Sequence, residues 1–170
     1  MDRDSQICAA QERVADFFIK KPHAALSSIR ASGHLDEGLI CKVRQDGYEA
    51  VMDMSKVMGG DGAAPSPGFY IRAGIAGCVA IGIKMTAARE RIAIDAIDVD
   101  VEMDFDDSAL LGMGGNSAAP LETRLIIALQ SSAPWEKVEA MVGRALAADP
   151  FFLALRDAQK VMTQVVSGSK

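Results

Sequence analysis

Residues 97–106 alternate without a break between apolar and acidic side chains. The apolar positions are Ile97, Val99, Val101, Met103 and Phe105, and the acidic ones are Asp98, Asp100, Glu102, Asp104 and Asp106. Because successive side chains of a strand point to opposite faces, this pattern predicts a strand with one buried and one solvated face, typical of an antiparallel sheet. A partner strand is predicted over 121–130, where Arg124 offsets part of the negative charge.

Helical periodicity and one hairpin account for most of the remaining chain. Helices are predicted over 5–21, 68–91, 132–148 and 151–159, with a last strand over 161–166. Two strands, 39–45 and 48–54, flank the turn dipeptide Asp46-Gly47, which places Arg44 opposite Glu49. Helices mixed with antiparallel strands predict an α+β fold, and 170 residues suffice for a domain with its own core.

Charge and hydropathy exclude several classes of partner. The chain has 18 basic and 23 acidic residues, so it lacks the positive surface expected for binding nucleic acid or an anionic membrane. The longest apolar run, 69–83, contains Arg72 and three glycines and is shorter than the ~20 residues that span a bilayer, which predicts a buried helix. No basic and apolar leader begins the sequence, so we expect a cytoplasmic protein.

The cysteines and histidines do not form a metal-binding pattern. Cys8, Cys41 and Cys78 are widely spaced, and the chain has only two histidines, so we expect no metal and no cofactor. The acidic alternation lacks the glycine and glutamate positions of a calcium loop and is interpreted as a solvated strand face. The glycine-rich segment 112–117 opens no helix and is interpreted as a hairpin loop.

Cys78 is the candidate for chemistry because of its place in the long apolar helix. Gly74, Cys78 and Gly82 follow one another at intervals of four, so a stripe of small residues carries the thiol at its centre. Such a stripe indicates close backbone approach or space for a ligand. A nucleophilic role and a structural role in the core both remain open from position alone, whereas Cys8 and Cys41 are interpreted as structural.

Residues 60–67, GDGAAPSP, followed by Ala76-Gly77-Cys78 in an apolar helix, resemble the signature of the OsmC/Ohr superfamily. The resemblance covers 27–166 and implies an OsmC-like domain over 27–170, preceded by an N-terminal helical extension over 1–26. It implies antiparallel sheets wrapped around two central helices and an intertwined homodimer with active sites at the subunit interface. The extension is expected to cap the dimer or to cover the sheet.

The resemblance also implies a thiol peroxidase. Cys78 matches the cysteine that attacks an organic hydroperoxide as thiolate and becomes a sulfenate. Asp149, before Pro150, stands where the family has its second, resolving cysteine, and Phe69 stands in the register of a helix glutamate.

The family's supporting arginine has no certain counterpart in this chain. Arg30 and Arg44 are both candidates. Arg72 is a weak substitute, because its position is about 120° around the helix from Cys78.

Two functions follow from these matches and departures. In the first, Cys78 reduces a small apolar hydroperoxide, alone or with an external thiol reductant or Cys41 as the resolving thiol. In the second, the fold has lost its redox chemistry and binds a small apolar ligand at the dimer interface. The second is favoured by the replacement at Asp149 and by Phe69, Phe151 and Phe152 around the expected site.

Overall fold

A computed structural model describes residues 2–167. The described chain contains, in order, α1 (Arg3–Lys20), β1 (Ser32–His34), β2 (Cys41–Gln45), β3 (Tyr48–Met52), α2 (Pro67–Glu90), β4 (Ala96–Asp104), β5 (Glu122–Gln130), α3 (Trp135–Leu146) and α4 (Pro150–Arg156). Single 3-10 turns lie at Pro22–Ala25, Lys56–Met58 and Asp107–Leu111. The predicted α+β class is confirmed.

Two antiparallel sheets organise the strands. One has the order β1-β2-β3, and the other pairs β4 with β5. The predicted hairpin turns at Asp46 and Gly47, whose φ values of 48° and 83° are the left-handed pair that a two-residue turn requires. Arg44 lies opposite Glu49, with 2.6 Å between Nε and Oε2. Strand β1 was not predicted, because three residues around a glycine carry no readable pattern.

The acidic strand is confirmed together with its partner. Glu102 pairs with Arg124 across β4 and β5, and the Arg124 Nε donates to Glu102 at 3.0 Å. The same guanidinium forms two hydrogen bonds with Asp104 and holds the pKa of that carboxyl below its usual range. The acidic face is therefore solvated and partly neutralised, as the sequence predicted.

The core lies between α2, α3 and the inner face of β4 and β5. Its fully buried members are Ile75, Val79, Ile83, Ala87, Ile94, Val138, Met141 and Ala145. None of these residues comes from β1, β2 or β3. Helix α2 also leaves large apolar side chains exposed, among them Phe69, Ile71 and Ile81.

Helix α2 is long and apolar enough to qualify as a candidate membrane span by length and composition alone. Core helices of globular proteins pass the same test. Here the inner side of α2 supplies four of the eight core residues, Ile75, Val79, Ile83 and Ala87. This packing agrees with the predicted buried helix.

Helix α1 docks on the second half of α2 rather than across a sheet. The Lys84 ammonium lies 3.0 Å from the Asp4 carboxylate and also donates to the Ile94 carbonyl at 2.8 Å. Gln11 donates to the Met85 carbonyl and accepts from the Arg89 guanidinium. Within the described chain the extension therefore packs on a helix, and its expected role in capping a dimer or covering a sheet stays a prediction.

The end of the chain departs from the predicted pattern. Helix α4 ends at Arg156, and residues 157–167 have no regular secondary structure, so the strand predicted over 161–166 is wrong. Val161, Met162, Val165 and Val166 are all strongly exposed. A strand needs a neighbouring edge for its backbone groups, and β4 and β5 pair only with each other in the described chain.

Candidate active site

The loop before α2 is held by a buried aspartate that the sequence reading missed. Asp53 is 1% exposed, and its two oxygens accept three backbone N–H groups: Met54 at 2.7 Å, Asp61 at 3.1 Å and Ala63 at 2.9 Å. These hydrogen bonds hold the pKa of Asp53 below its usual range. A side chain at Gly60 would clash with the Met54 carbonyl, which explains why this part of the motif requires glycine.

Asp53 also fixes the beginning of the long helix. Its backbone N–H donates to the Pro65 carbonyl at 3.2 Å, two residues before α2 starts at Pro67. Proline suits the first helical position because its missing N–H would have no partner there. The ordered loop therefore sets where α2 begins and, about three turns later, where Cys78 lies.

Cys78 lies beside the core and not within it. The thiol is partly buried, whereas its helix neighbours Ile75 and Val79 are 5% and 1% exposed. Cys78 lines a groove of about 300 Å³ between α2 and the corner that joins α3 to α4. The groove residues are Cys78, Ile81, Gly82, Met85, Thr86 and Arg89 on one side, with Ala145, Ala148, Asp149 and Pro150 on the other. The interpretation of Cys78 as a core residue is not supported.

Asp149 lies against this thiol and is itself 3% exposed. Its Oδ1 accepts from the N–H groups of Phe151 at 3.0 Å and Phe152 at 2.8 Å, which caps α4. Its Oδ2 has no hydrogen-bond partner in the described chain. A Cβ on Gly82 would lie 3.3 Å from Oδ2, so the glycine lets the carboxylate approach the α2 backbone closely.

The surroundings of Cys78 favour the protonated thiol. Burial raises its pKa first, and the neighbouring Asp149 carboxylate raises it further, while the backbone N–H of Phe151 acts in the opposite direction. The Asp149 side chain raises the pKa of the thiol first as a hydrogen-bond acceptor and then through its negative charge, although the geometry at Oδ2 falls short of a well-formed hydrogen bond. The Asp149 carboxylate is therefore the main electrostatic feature beside the thiol.

Arg89 is the cation of the groove, and the sequence reading missed it. It follows Cys78 by eleven residues, so it returns to the same helix face after about three turns, roughly 16 Å along the axis. Its Nη2 donates to the Thr86 hydroxyl at 2.9 Å, and its Nη1 donates to Gln11 of α1. The eleven-residue spacing was the signal available for finding it.

The other arginines considered from sequence do not line the groove within the described chain. Arg30 and Arg44 lie near the hairpin turn, where Arg44 is paired with Glu49. Arg72 lies on α2 beside Gly68.

The aromatic residues and Cys41 are likewise outside the groove residues. Phe69 is half-exposed and contacts Tyr70 edge-on, Phe151 is half-exposed, and Phe152 packs against the core. Cys41 lies on β2, where its Sγ would be 3.5 Å from a Cβ at Gly33. None of Phe69, Phe151, Phe152 and Cys41 is among the groove residues, although the backbone N–H of Phe151 acts on the Cys78 thiol.

Comparison with known proteins identifies what this arrangement is similar to. A family model described as OsmC-like protein matches residues 60–164. No curated protein sequence gives a significant match. The solved structure of an OsmC-like protein from Mycoplasma pneumoniae is similar with a TM-score of 0.65 and 14% identity, over 76% of this chain and 88% of that one.

Two organic hydroperoxide resistance proteins are similar as well. The one from Legionella pneumophila has a TM-score of 0.53 and 20% identity, over 77% of this chain and 90% of that one. The one from Bacillus subtilis has a TM-score of 0.51 and 18% identity, over 76% of this chain and 91% of that one. At these identities the solved structures demonstrate a shared fold.

Proposed function

The chain belongs to the OsmC-like family, and we propose that it reduces organic hydroperoxides through the thiol of Cys78. The resemblance of residues 60–67 and 76–78 to this family is confirmed by the family match over 60–164. The observation that carries the proposal is the position of Cys78, a partly exposed thiol in the wall of a groove rather than in the core. Solved relatives named as hydroperoxide resistance proteins support it.

In the proposed reaction Cys78 is oxidised once per turnover. The sulfur attacks the terminal peroxide oxygen, the O–O bond breaks, and the products are a sulfenic acid on Cys78 and the alcohol. Asp149 supplies no resolving thiol, and Cys41 is not among the groove residues, so an external thiol reductant restores the cysteine. We place this chemistry in the cytoplasm, where small thiols are abundant.

We also propose that the protein acts as an intertwined homodimer. Three features support a second copy: the exposed apolar side chains of α2, the sheet β1-β2-β3 with no residue in the core, and the exposed apolar side chains at 161–166. A partner chain offers an apolar surface against which these side chains can be buried.

A second function is favoured by one specific observation, the raised pKa of Cys78. Desolvation and the Asp149 carboxylate both disfavour the thiolate, and the one cation of the groove, Arg89, is about 16 Å further along α2. A site of this character suits an OsmC-fold protein that binds a small apolar ligand without redox chemistry.

Mass spectrometry distinguishes the two functions. Reduced protein is mixed with one equivalent of cumene hydroperoxide and a sulfenate trap, and the intact mass is followed from seconds to minutes. We expect one adduct that maps to Cys78 and is abolished by Cys78→Ser, while Cys8→Ser and Cys41→Ser retain it. An intact thiol on Cys78 after several minutes would contradict the peroxidase and leave the ligand-binding function.

A further inference from the structure

The two oxygens of Asp149 have different surroundings, and only one of them is used by the fold. Oδ1 accepts two backbone N–H groups and caps α4, whereas Oδ2 is buried in the groove wall without a donor. Buried carboxylate oxygens normally have hydrogen-bond partners, so an unpartnered one at a reactive thiol calls for a functional explanation. A group that donates a proton during a reaction would satisfy this oxygen.

The groove offers few sources for such a proton. Thr86 and Arg89 are bonded to each other further along α2, and Arg89 is the only other charged group among the groove residues. From α3, α4 and the corner between them, the remaining wall residues are Ala145, Ala148 and Pro150, which have no titratable side chain. Among the groove residues, the titratable proton that interacts with the Asp149 side chain is the one on the Cys78 thiol.

We propose that Asp149 is a catalytic proton shuttle for Cys78, a role that rests on the proposed hydroperoxide reduction. Oδ2 takes the proton from Sγ as the sulfur forms a bond to the terminal oxygen of the hydroperoxide. The O–O bond breaks, and the departing alkoxide receives that proton from Asp149. The sum is one thiol and one hydroperoxide giving one sulfenic acid and one alcohol, with sulfur oxidised, peroxide oxygen reduced and the carboxylate regenerated.

This role accounts for why a carboxylate lies beside a nucleophilic thiol. A permanent negative charge next to Cys78 makes an unassisted thiolate scarce, in agreement with the raised pKa of Cys78. If the carboxylate removes the proton during the attack, a standing population of thiolate is not needed. A purely electrostatic carboxylate would only slow the reaction, so the two roles predict effects of opposite sign when Asp149 is neutralised.

Asp149→Asn is the variant that separates these roles. Asparagine is as good an N-cap as aspartate, so it retains the bonds to Phe151 and Phe152, but it has no basic oxygen to carry a proton. The experiment measures the single-turnover rate of sulfenate formation with cumene hydroperoxide between pH 5.5 and 9.5. Glu49→Gln, which neutralises an exposed carboxylate on β3, is the matched control.

We expect Asp149→Asn to form sulfenate about 100-fold more slowly than the wild type at pH 7, which is a typical contribution of general acid–base catalysis. The difference in rate should shrink towards pH 9.5, because hydroxide then removes the thiol proton. Glu49→Gln should match the wild type throughout. A variant that is as fast as or faster than the wild type at pH 7 would overturn the shuttle while leaving the peroxidase intact. A wild type that forms no sulfenate would overturn both.

A second variant tests the same role if Asp149→Asn does not fold. Glycine is tolerated at N-cap positions, and Asp149→Gly opens space for a small carboxylate beside Cys78. We expect added formate to restore sulfenate formation at least 10-fold in Asp149→Gly and to leave the wild-type rate unchanged, because a mobile carboxylate takes over proton transfer. No rescue at any formate concentration, with the variant folded, would contradict the shuttle.

Discussion

Asp53 and Asp149 are both aspartates with almost no exposed surface, yet the fold uses them differently. Asp53 is 1% exposed, and both of its oxygens accept backbone N–H groups from its own loop. Asp149 is 3% exposed, and its Oδ2 has no partner in the described chain. Both oxygens of Asp53 are therefore used to hold the loop, whereas Asp149 uses one oxygen to cap a helix and has the other unpartnered in the groove wall.

The difference lies in the segment around each carboxylate. The loop that follows Asp53 curls back, so N–H groups eight and ten residues away converge on one oxygen. Asp149 precedes a helix that offers its first N–H groups on one side only, and the other side faces Gly82 of α2, which has no side chain and no free donor. A carboxylate whose two oxygens both have hydrogen-bond partners is expected to stabilise the fold. A carboxylate with an unpartnered oxygen beside a thiol is expected to take part in chemistry.

The largest loss of stability is expected for Asp53→Asn. The amide nitrogen of asparagine cannot accept the N–H groups of Asp61 and Ala63, so two donors lose their partner and the loop before α2 loosens. Thermal unfolding should show a greater fall in Tm for this variant than for any substitution of Asp149, Gly77 or Gly82, and the amides of Asp61 and Ala63 should exchange hydrogen faster. The control is Asp61→Asn, an exposed neighbour, which should change neither the Tm nor the hydrogen exchange. An unchanged Tm for Asp53→Asn would remove the distinction between Asp53 and Asp149.

The next largest expected effect is on the stability of the protein in acid. The pKa of Asp53 is lowered in the folded chain from its ordinary value of 3.8, so the proton binds more readily to the unfolded chain. Its stabilisation is therefore fully present above about pH 4 and is lost as the pH falls through the lower folded pKa. Urea unfolding between pH 5 and 2 should show a smaller decline for Asp53→Asn than for the wild type, and parallel declines would contradict this assignment.

Capping by Asp149 should have a moderate effect on stability. Asp149→Ala removes the acceptor for Phe151 and Phe152 and should lower the free energy of unfolding by about 1 kcal/mol, the usual cost of losing an N-cap. Asp149→Asn keeps the acceptor and should stay within a few tenths of a kcal/mol of the wild type. Urea unfolding at pH 7 measures both, and equal losses in the two variants would show that the unpartnered oxygen also matters to stability.

The smallest effect concerns the glycine that faces Asp149. Gly77→Ala places a methyl group in open space within α2 and should stabilise the protein by up to about 1 kcal/mol through helix propensity. Gly82→Ala brings a Cβ to 3.3 Å from Oδ2, so displacement of the carboxylate should cancel much of that gain. Equal stabilisation of the two variants would show that the carboxylate moves freely and does not depend on Gly82 for its position.

Much of the fold could be predicted from the sequence because the patterns that indicate it involve residues close together in the chain. The alternation over 97–106, the Asp46-Gly47 turn and the apolar run of α2 each correspond to an element in the structure. The strand predicted over 161–166 failed for a non-local reason, since an apolar segment becomes a strand only where another edge accepts its backbone hydrogen bonds. The resemblance of residues 60–67 and 76–78, which are close together in the chain, predicted the family in the same way.

The sequence by itself determined most of the elements, the family and the place of the thiol in its helix, because periodicity, turn dipeptides and a contiguous motif act over a few residues. Only the tertiary structure decided what surrounds that thiol. Asp149 is 71 residues from Cys78 in the sequence, and its two oxygens differ solely through the packing of the α3–α4 corner on α2. Burial, charge and an unmet hydrogen bond depend on contacts between distant segments, and no local pattern records them.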